Sequence, residues 1–263
     1  MPRVLIFAYE TSYIAGIRRD AGRHGSWLGA AESINMEDTP IHTVHTSRGP
    51  DCVVLLHGLG RTAKSMNKLE QAFRRLGYRV VNLTYPSRKH PIERLNQLAI
   101  EPALGKCNLK TKAHVHFVTH SLGGILVRYY LENTTLQNLG RVVMIAPPNK
   151  GSQVVDHLVN IPGFRAINGP AGAQLGTDSQ SIPSKLGSVT YPVGVIAGTR
   201  SVNLILSQYL PGVNDGRVTT ENTRVEGMSD YCEVSASHPF IMQNANAVRQ
   251  ATNYIRTGVF RKI

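Results

Sequence analysis

The chain has 263 residues, an ordinary globular composition and three cysteines. This length allows one domain with a large core, and no apolar run approaches the ~20 residues that cross a membrane. The formal net charge is +12, but the basic residues are scattered without interleaved aromatic residues, which argues against a specific nucleic-acid partner. A solvated basic surface is the simplest interpretation, and attraction to an anionic membrane surface is the functional alternative.

The cysteines and the N-terminus bear on where the protein resides. Cys52, Cys107 and Cys232 have neither zinc-site nor C-x-x-C spacing, so we expect free thiols in a reducing compartment. The apolar run at 4–8 is too short for the core of a signal peptide, and Glu10 follows it. The expected location is therefore cytoplasmic.

The predicted elements fall into two parts along the chain. Residues 1–50 form an N-terminal segment of unclear role, with possible edge strands at 4–8 and 41–46. From residue 51 to 263, apolar runs alternate with segments of helical period, which predicts an α/β domain with a mostly parallel sheet and helices on both faces. The predicted strands are 53–56, 78–83, 115–118, 141–146, 193–198 and 231–235; the predicted helices are 62–76, one from Pro91 interrupted near Pro102, 124–131, 152–159 and 240–255.

The first of these strands ends in a glycine-rich turn, His57-Gly58-Leu59-Gly60. Backbone N–H groups in such a turn can be left pointing into a cleft. In acyl transfer, two such donors stabilise the oxyanion of the tetrahedral intermediate. We predict the N–H of Leu59 as one donor and Gly58 as a substrate contact.

The third predicted strand leads into Thr119-His120-Ser121-Leu122-Gly123. A strand, a sharp turn centred on serine and then a helix is the context of a nucleophile elbow. Thr119 departs from the glycine usual at the first position and crowds the turn. Ser121 is the predicted nucleophile and the N–H of Leu122 the second oxyanion donor, while His120 packs beneath the turn or contacts substrate.

Residues 161–191 break the alternation of strands and helices. They are rich in Gly, Pro, Ser and Gln, and loops of this length are uncommon unless functional or disordered. A long surface loop is one interpretation. We favour a small cap over the cleft that lines an acyl pocket and is too polar to be a large hydrophobic lid.

The acid and base should follow the serine in the order Ser, acid, His. Asp215 lies in an Asn-Asp-Gly turn after the fifth predicted strand, and Asp230 is a rival because it also precedes the last strand. His238 follows that strand and is the predicted base. His114 and His116 have the spacing of a metal-binding pair, but a role at the strand edge is favoured, and no metal site is predicted.

These motifs together resemble the α/β-hydrolase superfamily and, within it, bacterial lipase-like carboxylesterases. The stretch 146–152, Ala-Pro-Pro-Asn-Lys-Gly-Ser, is similar to a segment that follows a central strand in those lipases. The resemblance runs from residue 51 to the C-terminus and implies Ser121 as nucleophile, Asp215 as acid and His238 as base.

The activity implied by the resemblance is hydrolysis of a small-molecule ester or lipid, without a metal or organic cofactor. A thioesterase or lysophospholipase would use the same site and differ only in the leaving group. A non-catalytic, ligand-binding member of the fold is the alternative from another class. The sequence does not indicate the oligomeric state.

Overall fold

The strands of the described residues form one six-stranded sheet in which every strand is parallel, in the order β2-β1-β3-β4-β5-β6. The computed structural model describes residues 49–107, 113–202 and 204–262, so the two edge strands expected within residues 1–50 lie outside the described residues. The strands are β1 Cys52–Leu56, β2 Arg79–Asn82, β3 Val115–His120, β4 Leu139–Ile145, β5 Val193–Gly198 and β6 Asp230–Val234.

The register of the central strands determines where functional loops meet. Every residue of β1, β3 and β5 is buried, as expected for strands covered on both faces. Leu56 at the end of β1 pairs with Thr119 near the end of β3. The turn after Leu56 and the turn after His120 therefore emerge side by side at the carboxyl edge of the sheet.

Helices cover both faces of the sheet. α2 and α3 pack on one face in one apolar cluster, and α1 and α9 pack on the other face in a second cluster. No helix within the described ranges is both long and apolar enough to cross a bilayer. The helices are α1 Asn67–Arg75, α2 Ile92–Lys106, α3 Leu122–Asn133, α4 Gln153–Leu158, α5 Phe164–Ala173, α6 Ile182–Lys185, α7 Leu204–Ser207, α8 Thr220–Thr223 and α9 Ala245–Thr257.

Three predicted helices have different bounds in the structure. The helix expected over 62–76 is α-helical only from Asn67, after a 3₁₀ turn at Ala63–Met66. α2 runs through Pro102 without the expected interruption, because Leu95, Ala99 and Ala103 are fully buried on one face and their packing outweighs one lost backbone hydrogen bond. The helix expected over 240–255 begins only at Ala245. Asn244 causes this delay, since its side chain accepts from two N–H groups of the first turn.

The expectation of three free thiols is wrong, because Cys52 and Cys107 form a disulfide. Cys52 begins β1 and Cys107 follows α2, and their Cα atoms lie 5.6 Å apart although 55 positions separate them in the sequence. Cys232 in β6 is free and partly buried. Burial, together with the carboxylates of Asp230 and Glu233, raises the pKa of its thiol to about 12.

Residues 161–191 contain two helices, α5 and α6, rather than an unbroken loop. α5 is kinked at Gly169, whose φ of 69° is left-handed and whose Cβ, if present, would lie 1.8 Å from the Arg88 carbonyl oxygen. The other end of the segment is bound by Arg128 of α3, which donates to the carbonyls of Leu186 and Gly187. The segment is therefore folded and hydrogen-bonded to α3. Its role in lining an acyl pocket stays a prediction.

Candidate active site

Ser121 lies in a strained turn between β3 and α3. Its φ of 52° and ψ of −120° are unusual for a residue with a side chain. Two contacts hold the turn: the Ser121 N–H donates to the Ile145 carbonyl at 2.9 Å, and Gly123 lies so close to β1 that a Cβ there would be 2.6 Å from the Leu56 carbonyl. The threonine at 119 is accommodated, fully buried, in the last part of β3.

The structure brings Ser121, His238 and Asp215 into one chain of hydrogen bonds. His238 Nε2 lies 3.0 Å from Ser121 Oγ, and His238 Nδ1 lies 2.7 Å from Asp215 Oδ2. All three side chains are buried. The predicted nucleophile, base and acid thus stand at the separations that nucleophilic catalysis by serine requires.

The Asn-Asp-Gly turn positions the carboxylate of Asp215. Its second oxygen, Oδ1, accepts from the N–H groups of Arg217 at 3.0 Å and Val218 at 2.9 Å. The Asp215 carbonyl also accepts from the His238 N–H at 3.0 Å. The carboxylate and the backbone of the same residue therefore both fix the loop that carries the imidazole.

Asp230, the rival acid, is engaged elsewhere. Its Oδ1 accepts from the Tyr231 N–H at 2.8 Å, and its Oδ2 accepts from the Phe260 N–H at 2.6 Å. It lies at the start of β6, whereas His238 follows the end of that strand. Asp230 thus ties the C-terminal segment to the sheet at the edge opposite Ser121.

The two predicted oxyanion donors flank the serine. Leu122 is the first residue of α3, where N–H groups lack partners within the helix. On the other side, a Cβ added to Gly58 would lie 3.2 Å from Ser121 Cβ, so the peptide between Gly58 and Leu59 lies against Ser121. Among the described residues, no backbone acceptor is found for the Leu59 N–H.

His120 lies beneath the elbow, with 2% of its surface exposed. Its Nε2 is 3.1 Å from the His238 carbonyl, and a Cβ added to Gly58 would lie 2.7 Å from its Nδ1. Burial holds the pKa of His120 well below its usual value, and the neighbouring His238 adds to this effect. A neutral ring therefore separates the turn after β1 from His238; the predicted contact of His120 with substrate stays a prediction.

His114 and His116 belong to the opposite edge of the sheet. The Asp51 carboxylate lies between them, 3.7 Å from His114 Nδ1 and 3.5 Å from His116 Nε2, and His116 Nδ1 accepts from the Arg141 N–H at 2.8 Å. Within the described ranges, no group of three or more His, Cys, Asp or Glu side chains is arranged to hold a metal ion.

Sequence reasoning missed the residues that support the turn after β1. Tyr85 and Ser87, in the loop after β2, contact this turn through their side chains. Tyr85-Pro86-Ser87 has no motif spacing, and only the pairing of β1 with β2 brings it to the site. The parallel order of these two strands was the one available signal.

Comparisons with known proteins bear on the fold. No protein-family model and no curated protein sequence matches this chain. The structure is similar to the mature lipase BlEst2 of Bacillus licheniformis, with a TM-score of 0.62, 19% identity, and coverage of 81% of this chain and 93% of that one. It spans 52% of the propeptide form of the same lipase.

Two other solved structures have the same architecture. The metagenomic carboxyl esterase MGS0156 has a TM-score of 0.57 and 16% identity, with 73% of this chain and 65% of that one covered. An extracellular α/β-hydrolase from a Paenibacillus species has a TM-score of 0.51 and 14% identity, with 81% and 100% covered. At these identities the likeness bears on architecture, and with the parallel sheet and its strand order it confirms that this chain has the α/β-hydrolase fold.

Proposed function

We propose that the protein is a serine hydrolase that cleaves carboxylic esters through an acyl-enzyme on Ser121. The observation that carries the proposal is the chain of hydrogen bonds from Ser121 Oγ to His238 Nε2, at 3.0 Å, and from His238 Nδ1 to Asp215 Oδ2, at 2.7 Å. Similarity to lipases and to a carboxyl esterase is consistent with ester chemistry.

In the acylation step, Ser121 Oγ attacks the ester carbonyl while His238 Nε2 takes the hydroxyl proton. The negative charge that forms on the carbonyl oxygen is stabilised by the N–H groups of Leu59 and Leu122. The tetrahedral intermediate then collapses, and His238 returns the proton to the departing alkoxide. Asp215 keeps the proton of the imidazole on Nδ1 and stabilises the imidazolium.

In the deacylation step, water replaces the alcohol. His238 Nε2 takes a proton from the water as its oxygen attacks the acyl carbonyl, and the same two N–H groups stabilise the second oxyanion. Collapse of this intermediate releases the carboxylic acid, and Ser121 Oγ recovers its proton. Every proton transferred in the two steps therefore passes through His238 Nε2.

The cap favours short-to-medium acyl chains over long-chain triglycerides. Burying each additional CH₂ is worth about 0.8 kcal/mol only where apolar surface is available to receive it. Phe164, Leu175 and Ile182 are among the large apolar residues of 161–191 and are buried, the latter two in the core beneath the segment. Few large side chains therefore remain to form an acyl wall, and we expect no sharp activation by an interface.

An anionic lipid surface is the membrane partner that the charge of the chain favours. Val202, Ile205 and Phe240 are large exposed apolar residues in the segments that follow β5 and β6, with Ile205 in α7. Arg200 lines a cleft together with Val202 and Phe240. The chain has a net charge of +12, and these exposed apolar side chains lie beside the cation of Arg200. This combination favours contact with anionic headgroups.

The test is hydrolysis of p-nitrophenyl esters of increasing acyl length by the wild type and by Ser121→Ala. We expect kcat/KM to fall by at least about 10⁴-fold in the variant, because the members of a triad act as a unit. A fluorophosphonate should label the wild type stoichiometrically. Ser235→Ala, at an exposed serine, is the control and should keep both properties.

Two results would contradict the proposal. The first is a folded wild-type protein that neither hydrolyses any ester of the series nor reacts with the fluorophosphonate, as expected of a binding protein. The second is undiminished hydrolysis by Ser121→Ala. Matched thioesters in the same assay distinguish a thioesterase, which would prefer them at equal acyl length.

A further inference from the structure

The loop after β2 supports the turn after β1 through one aromatic pair. Tyr85 is buried, its hydroxyl donates to the His57 carbonyl, and its ring stacks on the His57 imidazole with centroids 4.1 Å apart and planes 12° from parallel. β1 and β2 are neighbours in register, so these two side chains meet at the carboxyl edge, next to Ser121. No step of the proposed mechanism uses either ring.

Tyr85 also determines which nitrogen of His57 carries the proton. The Tyr85 N–H donates to His57 Nε2 at 3.2 Å, so Nε2 is an acceptor and the proton resides on Nδ1. His57 Nδ1 then donates to the Gly58 carbonyl at 2.8 Å. Burial lowers the pKa of His57 to about 4, which keeps the imidazole neutral near neutral pH.

The Gly58 carbonyl belongs to the same peptide group as the Leu59 N–H, the proposed oxyanion donor. In a trans peptide the C=O of one residue and the N–H of the next point in opposite directions. The Gly58 oxygen accepts from His57 Nδ1 and also from the Arg61 N–H at 3.2 Å. Because these two donors hold the Gly58 oxygen, they also determine the direction of the Leu59 N–H.

A second contact from the same loop holds the far end of the turn. The Gly60 N–H donates to Ser87 Oγ at 3.0 Å, and Ser87 is buried. The turn is thus bound on both sides of the peptide that joins Gly58 to Leu59. The geometry of the donor depends on the loop after β2 as much as on the turn itself.

We propose that Tyr85 is a positioning residue that, through His57, orients the Leu59 N–H toward the oxyanion. This inference rests on the proposed esterase function. Tyr85 contributes in two ways: its N–H holds the Nδ1–H tautomer of His57, and its hydroxyl and ring hold the imidazole and the His57 carbonyl in place. Substrate binding without charge development does not depend on this arrangement.

The test compares Tyr85→Phe, His57→Leu and His57→Asn with the wild type on a short p-nitrophenyl ester. Complete loss of one oxyanion donor costs about 10²–10³-fold in kcat, so a misdirected donor in Tyr85→Phe or His57→Leu should cost at least about tenfold, with KM changed less than about twofold. His57→Asn can donate from the position of Nδ1 and should recover part of this loss. Affinity for a trifluoromethyl ketone, whose adduct is tetrahedral, should fall in parallel with kcat.

Tyr254→Phe is the matched control, because Tyr254 is equally buried but belongs to α9 on the opposite face of the sheet. It should keep the kcat of the wild type. Unchanged kcat in both Tyr85→Phe and His57→Leu would overturn the inference, as would a rise in KM with no loss of trifluoromethyl ketone affinity. Failure of the proposed function would instead appear as an inactive wild type or an active Ser121→Ala. If His57→Leu does not fold, Tyr85→Phe and Ser87→Ala carry the test.

Discussion

Breaking the disulfide between Cys52 and Cys107 should lower stability by a predictable amount. The two residues close a loop with a sequence separation of 55, which contains β1, α1, β2 and α2. When the bond is absent, the unfolded chain gains the freedom that this loop had lost. Cys52→Ser combined with Cys107→Ser removes the bond with little change in volume.

The loop length sets the size of the effect. The chain-entropy relation for a loop of this length gives about 4 kcal/mol at 25 °C. For a domain of about 215 residues, each kcal/mol of lost stability lowers Tm by roughly 2–4 °C. We therefore expect the free energy of unfolding to fall by about 4 kcal/mol and Tm by about 10 °C.

Urea unfolding and calorimetry of the double variant, with Cys232→Ser as the matched control, measure this difference. The control removes the free thiol of β6 and should change the free energy of unfolding by less than about 1 kcal/mol. Thiol titration of the denatured wild type should find one reactive group, and after reduction three. If three thiols react without reductant, or the double variant unfolds like the wild type, the reasoning is refuted.

The remaining predictions concern the proposed acid Asp215, the buried imidazole of His57 and the exposed apolar residues of the proposed membrane contact. Asp215→Asn should lower kcat by about 10⁴-fold, as expected for a misoriented base, whereas Asp230→Asn should mainly lower Tm. Steady-state kinetics measures the first effect and calorimetry the second. If Asp230→Asn lowers kcat more than Asp215→Asn, Asp230 is the acid. Burial lowers the pKa of His57 from 6.5 to about 4 in the folded protein, so between these pH values the unfolded chain binds more protons. The free energy of unfolding should therefore fall by about 3 kcal/mol as the pH is lowered through this window, and by less in His57→Asn. An equal fall in the wild type and in His57→Asn would contradict this prediction. In cosedimentation with phosphatidylglycerol vesicles, Phe240→Ser should weaken binding. Val259→Ser should not, because Val259 is equally exposed (56% against 57% for Phe240) but lies on the opposite edge of the sheet. Equal effects of the two substitutions would mean that Phe240 does not contact the membrane.

Local sequence signals were enough for the sheet and the elbow. Apolar runs of four to seven residues mark strands buried on both faces, and all six predicted strands match observed strands within two residues at each end. The serine turn was identifiable because strand, small residues and helix are adjacent in the sequence. The cap was the weakest part, since the buried contacts of Phe164, Leu175 and Ile182 have no regular spacing.

Features that depend on distant contacts could not be predicted from the sequence. Asp215 and Asp230 both satisfy the required chain order, and only the hydrogen bonds of the folded loops distinguish them. The disulfide joins two cysteines without motif spacing, so the composition suggested free thiols. Tyr85 reaches His57 across 28 positions, through the pairing of two strands rather than through any local pattern.

Because the disulfide lies at the start of β1, we expect its loss to lower stability without lowering kcat. Cys52 begins β1 and His57 directly follows its end, so at about 3.3 Å per residue Cys52 lies roughly 16 Å along the strand from the turn that carries the proposed oxyanion donor. Between them, each residue of β1 pairs with β3, and this pairing does not require the disulfide. The reduced protein, while folded, should therefore keep the kcat of the oxidised form and lose activity only through unfolding. A loss of kcat at temperatures well below the Tm of the reduced form would show instead that the bond holds β1, and with it His57, in register.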